Sequence, residues 1–441
     1  GRAHRAFFCR IDNNQVPGLN ITTPAVLFHK RSTGGSAQGV NPLLDGVAID
    51  AMVINNGNCT RVGTTQEWLC RISNAGDLTK VFSNAGVSDV EPGLFFSINT
   101  PAGFQPVKLS DVAQKLTVRS AAALVFGIPV TKSLRDALQE VQKNAGLIRA
   151  NCAIGDDTQP CMPSLSTQQI SSILFGAVKN WDQIHALNSA KILTPFTQAL
   201  SIVAQPQNKL VAICRRVPGS GTQAQANAVF LNAPCSRTAL RPITQALSNP
   251  VTGPIVVENS GSGDVRLCLN DFNNGTNLSG VNPSLQKFWA VGIQSTENNA
   301  DLADDYRYIK VDRVAPTLKN AANGTYKDWV ELTYQWRKDG QAGAPGANQL
   351  AILETIVARA GGPEILGALN LAKFFHPFGV AGYLALTVNG HRLGPNGAFN
   401  LNNPVTPYTH IPRSAINLSN CRVPVYDSEA RDVNGNIVFP L

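Results

Sequence analysis

Arg215 and Arg216 close an apolar run, Lys209 to Cys214, and lead through Val217 into Pro218-Gly219-Ser220-Gly221-Thr222; Gln223 to Leu231 then contains no helix breaker. The pattern predicts a short buried strand, a glycine-rich turn and a helix with Thr222 as its N-cap. Such a junction gathers backbone N–H groups without helical acceptors at the positive end of a helix, where an anion is favoured. A guanidinium beside them adds a planar fork of donors that suits an oxyanion. Turn geometry alone also accounts for a bare Gly-Ser-Gly-Thr, so other parts of the chain must distinguish an anion site from an ordinary turn.

Two more stretches carry the same kind of chemistry. HKRSTGGSAQGVNPL, His29 to Leu43, follows the apolar AVLF and offers the hydroxyls of Ser32, Thr33 and Ser36 with flexible glycine N–H groups. Read alone, it is a solvated Gly/Ser loop. SNAGVSDVEP, Ser83 to Pro92, puts Asp89 after a small apolar strand end, although Ser88 and Glu91 have the spacing of a capping box. The six histidines are too dispersed for any local metal spacing, and no Walker A, GxSxG or GxGxxG pattern occurs. No resident cofactor or metal is expected.

The elements that must hold these residues belong to a large folded chain. At 441 residues, 43% hydrophobic and only 15% charged, it can bury an extensive core and divide into two or more domains. Its formal net charge of +8 suits an anionic ligand or simply solubility, and with no basic run nucleic acid is not an expected partner. Nine cysteines without a single CxxC point to an oxidising compartment. The pairs close in sequence, Cys59 with Cys70 and Cys152 with Cys161, are the expected disulfides. Connectivity among Cys9, Cys214, Cys235, Cys268 and Cys421 is open, and the odd count leaves one thiol free or paired outside the chain. The longest apolar runs, such as Ala121 to Val130, are about half of the ~20 residues a spanning helix needs.

Strand-like VRSAAALVFGIPV, helix-like SLRDALQEVQKNA and LSTQQISSILFGAVKNW, then strand-like SIVAQ and KLVAIC alternate through the middle of the sequence. That alternation predicts an α/β class with parallel strands. Ser166 and Gln169 form a capping box at the start of the second helix, which is expected to run to about Lys179–Trp181. Past Phe378 the chain turns rich in Gly, Pro and Asn and loses helical periodicity, which reads as an extension of loops and short strands lying on the surface or on a neighbour.

Taken in order, STGGS, SDVEP, ISSILFGAVKNWDQI and RVPGSGT resemble the periplasmic phosphate-binding proteins of ABC transporters, of the type II solute-binding superfamily, over most of Ala25 to Gly292. The resemblance implies a two-lobed α/β fold. One lobe is residues 1–125 with 289–378, the other is 126–288, and 379–441 is the extension. The crossings near LVFGIPV and FWAVGI would form the hinge. It also implies a phosphate site made of Arg216, of Ser220, Gly221 and Thr222, of Asp89, and of a loop hydroxyl from Ser32 or Thr33, with Ser36 an alternative. Asp89 would select phosphate over sulfate, because a carboxylate repels an anion that brings no proton. Trp181 and Phe175 read as packing residues.

The implied function is that of an exported, non-enzymatic binding protein, periplasmic or secreted, that passes inorganic phosphate to the membrane subunits of an ABC transporter. In one respect the sequence departs from the family. GRAHRAFFCRIDNN does not resemble the family's first strand and donor loop; a preceding segment, if the intact polypeptide has one, would add as a strand beside Ala25 to Phe28 in its own molecule or the next, and Cys9 is then either paired outside the chain or a free thiol. That departure keeps open a structural protein that self-associates into filaments through its N-terminus or its C-terminal arm. A secreted phosphatase-like enzyme is a third, weaker alternative.

Overall fold

The computed structural model describes residues 4–22, 25–32, 34–411 and 418–439. An antiparallel ribbon comes first, β1 (His4–Arg10) on β2 (Ala25–Arg31), with Phe7 opposite Phe28. One edge of Ala25–Phe28 is therefore taken by the chain's own β1, in a stretch where no strand was expected. Next come β3 (Gly86–Ser88), β4 (Leu116–Thr131), α1 (Lys132–Asn144) and α2 (Thr167–Phe175). β5 (Asn208–Arg216) runs into α3 (Gly221–Leu231), and β6 (Ile255–Asn259) into α4 (Ser262–Asn274). β7 (Phe288–Gly292), β8 (Tyr306–Val311), β9 (Trp329–Arg337) and β10 (Tyr383–Leu386) complete the frame.

β3 to β10 share one mixed sheet, ordered β6-β5-β7-β4-β8 along its main path, with β9 and β10 also on β4 and the β1–β2 ribbon separate from it. β5 is parallel to β6 and β7, as the alternating pattern predicts, but β7, β8, β9 and β10 are all antiparallel to β4. The reason lies in β4 itself. It is 16 residues long and buried throughout Ala121–Thr131, so both of its faces and both of its edges are covered. Its first part pairs with β9, Val125 opposite Trp329, and its last part with β8, Ile128 opposite Ile309.

Local signals place most elements correctly and misplace three. The Ser166–Gln169 capping box forms at the start of α2. That helix stops at Phe175, because Gly176 takes the left-handed conformation (φ +86°) that ends helices. SIVAQ forms no strand: the N–H groups of Ser201, Ile202 and Val203 donate to the Glu140 carboxylate at 2.6, 3.0 and 2.7 Å instead of to a ladder. Beyond Phe378 the chain does form loops and short strands, but part of it packs into the fold. Leu384, Leu386 and Val405 are buried, and Tyr383 pairs with Leu124 in the main sheet. The apolar positions of that stretch outweigh its loop-like composition once β4 offers an open edge.

Trp181 sits in the core against Phe196 and Trp289, its indole N–H bonded to the Trp289 carbonyl at 3.0 Å, while Phe175 is 43% exposed and is not a core residue. Truncating such a buried indole costs about 3–5 kcal/mol. Four disulfides form. Cys59–Cys70 and Cys152–Cys161 are the short-range pairs expected, and Cys214–Cys268 and Cys235–Cys421 close separations of 54 and 186 residues. Cys9 is exposed and unpaired within the chain. Among the described residues no helix is long and apolar enough to cross a membrane.

Candidate functional site

Arg215 and Arg216 are the last two residues of β5, and successive side chains of a strand leave opposite faces. Arg215 turns away: its Nη1 donates to the Ile243 carbonyl at 3.0 Å and its Nε to the Arg216 carbonyl at 3.2 Å, with Glu258 3.8 Å from the guanidinium. Arg216 turns toward the helix starts, donating to Ser262 Oγ at 3.1 Å and to the Ser260 carbonyl at 2.8 Å. Its Nε is buried without a partner among the described residues.

The turn after β5 uses Gly219 at φ +89°, with its N–H on the Asn99 carbonyl at 3.0 Å and its carbonyl taking the Ala37 N–H at 2.9 Å. The helix begins two residues earlier than Thr222 as N-cap requires. Ser220 is the cap, its Oγ accepting from the Gln223 N–H, so Gly221 and Thr222 form the first turn. Ser220's extended backbone (φ −74°, ψ 128°) lets its hydroxyl fold back on the helix, which leaves the Thr222 hydroxyl available to Asp89.

The glycine loop of residues 34–39 and Asp89 close onto this helix start. A Cβ on Gly35, which lies at φ +76°, would come within 2.8 Å of the Gly219 carbonyl oxygen. A Cβ on Gly221 would meet Ser36 Oγ at 2.6 Å and the Asp89 Cβ at 2.8 Å. Ser36 Oγ also accepts the Asp89 N–H at 3.3 Å. Ser36 is thus the loop hydroxyl found against Asp89, whereas Ser32 is exposed at the end of β2 and Thr33 lies outside the described residues. The Ser88–Glu91 capping box does not form: Ser88 Oγ donates to the Val90 carbonyl at 2.6 Å.

Electrostatically the cluster is balanced. Burial pushes the Asp89 carboxyl above the usual range, and the Ser36 hydroxyl, the Arg216 guanidinium and the Thr222 hydroxyl pull it back. Burial likewise lowers Arg216, with Asp89 and Asp264 opposing. Three neighbours were not picked out from the sequence. Glu297 is hydrogen-bonded by the Tyr383 hydroxyl and by Ser295 Oγ at 3.3 Å, and it is raised by burial and by nearby Asp89. Ser260 and Ser262, both bonded to Arg216, come from ENSGSGDV, where a strand runs through Gly and Ser into α4. That repeat of the β5–α3 pattern was a visible signal; nothing local marks Glu297. The arrangement can hold a small oxyanion between a guanidinium, free helix N–H groups and hydroxyls, beside a carboxyl that can accept a ligand proton.

No protein-family model and no curated protein sequence matches the chain. Solved structures similar to it include a putative phosphate ABC transporter substrate-binding protein with bound phosphate from Clostridium perfringens, 14% identical, covering 76% of this chain and 83% of that one at a TM-score of 0.38. A high-affinity periplasmic phosphate-binding protein bound with phosphate is 14% identical, covering 74% and 85% at 0.37. An ABC-type phosphate transport receptor from Vibrio cholerae is 15% identical, covering 58% and 75% at 0.30. The chain is structurally similar to phosphate-binding proteins of this type at low sequence identity.

Proposed function

We propose that the protein is an extracytoplasmic, non-enzymatic binding protein that holds inorganic phosphate between two lobes, residues 1–125 with 289–378 and residues 126–288, and passes it to a membrane transporter. The observation that carries this reading is the convergence of Asp89, Ser36, Arg216 and the Ser220–Thr222 helix start. An oxyanion would supply the acceptor that the buried Arg216 Nε lacks. Asp89 in its ionised form, which Arg216 and the Ser36 and Thr222 hydroxyls favour against the effect of burial, would accept the proton of a ligand that carries one and repel an anion that does not. Four disulfides support an oxidising, exported setting.

Calorimetric titration with phosphate and with sulfate at neutral pH tests the proposal. Phosphate is expected to bind with at least tenfold preference, about 1.4 kcal/mol, and Asp89→Asn to erase most of that preference. Equal binding of both anions by the unmodified protein would remove Asp89 from the site.

A second reading, self-association through the N-terminal ribbon, is favoured by Phe7, Phe8 and Leu27, which are 56%, 74% and 55% exposed. A monomer in size-exclusion at high concentration would count against it.

A further inference from the structure

A cavity of about 530 Å³ lies away from the Arg216 cluster, between α1, the start of α2, the hairpin of His185–Leu187 and Leu193–Pro195, and the end of β8. Its floor is apolar, with Leu138, Val141, Leu165 and Phe196 buried there. Leu147 and Leu193 stand at its lining half-exposed, 53% and 63%, as they would at an entrance. The volume falls in the roughly 300–1,000 Å³ range of small-molecule sites.

The polar end of this cavity is cationic. Lys310 is partly buried there, and burial lowers its ammonium's pKa; Arg313, exposed, lines the same cavity. Neither has an ion-pair partner among the described residues. The nearest acid, Asp312, has both oxygens engaged, accepting from the Thr167 N–H at 2.8 Å and from the Thr167 hydroxyl at 2.5 Å. Asp312 and Arg313 both lie at positive φ, +48° and +68°, in a turn pinned by the Arg313 N–H on Ser164 Oγ at 2.8 Å and the Asp312 N–H on the Leu165 carbonyl at 3.0 Å. The Gln142 side chain, on the same wall, is used in both directions by Ser164. What remains for a ligand is an apolar trough ending at two cations and one carboxylate already occupied by Thr167, a net positive charge.

We propose that this cavity binds a small amphiphilic anion, an aliphatic chain ending in a carboxylate, with the chain on Leu138, Val141, Leu165 and Phe196 and the head at Lys310 and Arg313. The site is independent of the phosphate reading, since no residue is shared. A neutral or cationic amphiphile would gain the apolar burial but leave the ammonium of Lys310 without a counter-charge.

Calorimetric titration with dodecanoate below its micellar range tests this, alongside dodecyltrimethylammonium as the oppositely charged chain. Dodecanoate is expected to saturate one site per molecule, and the cationic chain not to bind. Lys310→Gln with Arg313→Gln should weaken dodecanoate at least about tenfold, the effect of losing a hydrogen bond to a charged group. Ala145→Trp, which fills the trough from the end of α1, should abolish binding while its circular dichroism and its phosphate titration stay as in the unmodified protein. Equal binding of the two amphiphiles, no binding of dodecanoate, or unchanged affinity in the double variant would each overturn the proposal.

Discussion

Replacing Arg216 by alanine isolates the contribution of the guanidinium to anion binding. The side chain is only 7% exposed, so its electrostatic effect is little screened by solvent. Truncating one partner of such a buried charge pair costs about 2–5 kcal/mol, a loss of roughly thirty- to several-thousand-fold in phosphate affinity. The same change removes hydrogen bonds to Ser260 and Ser262, so the folded state should also lose a few kcal/mol, about 1 per bond plus the exposed-acceptor penalty. Affinity is read by calorimetry and stability by urea denaturation. Arg216→Lys keeps a charge without the fork and should fall between the two. Arg215→Ala is the comparison: its donors serve the Ile243 and Arg216 carbonyls, so it should lower the urea midpoint and leave affinity within about threefold, under 1 kcal/mol. Arg216→Ala binding phosphate as tightly as the unmodified protein, or Arg215→Ala losing binding instead, would refute the reasoning.

Gly221→Ala is expected to destabilise by about 1–3 kcal/mol and to weaken phosphate binding, because its Cβ would press on Ser36 Oγ and Asp89. Gly263→Ala, in the first turn of α4 with nothing within 4 Å of the added Cβ, should instead stabilise by about 0.4–1 kcal/mol. Equal thermal shifts in the two variants would contradict this. Glu91, buried and accepting the Asn420 N–H at 2.6 Å, is pushed up to about 8 by burial with Glu331 adding to it. Its folded value lies above the unfolded one, so its contribution is complete below the unfolded pKa and is lost as pH rises through about 8. Glu91→Gln should therefore gain on the unmodified protein by up to about 1.4 kcal/mol per pH unit across that window. A difference in urea midpoint that does not change between pH 5 and pH 9 would show that Glu91 is not protonated in the fold.

What the sequence by itself determined is local. The capping box at Ser166, the strand–turn–helix at Arg216 and the disulfides across 11 and 9 residues each depend on backbone conformation or loop closure within a few residues, which residue type dictates. Where local signals competed, the sequence could not decide. The turn pattern put the N-cap at Thr222 where the folded chain has it at Ser220, and the glycine loop offered three hydroxyls. Tertiary structure settled these by close approach. The loop and Asp89 come within a methyl group's reach of Gly221, and of the described candidate hydroxyls it is Ser36 that is found there. Ser260, Ser262 and Glu297 join Arg216 and Asp89 because separate strands end at one edge of the sheet, a placement set by how the core around β4 packs. The same packing recruited a Gly- and Asn-rich tail into the sheet and closed Cys235 on Cys421 across 186 residues, since an uncovered apolar strand edge outweighs the loop preference of the segment that covers it.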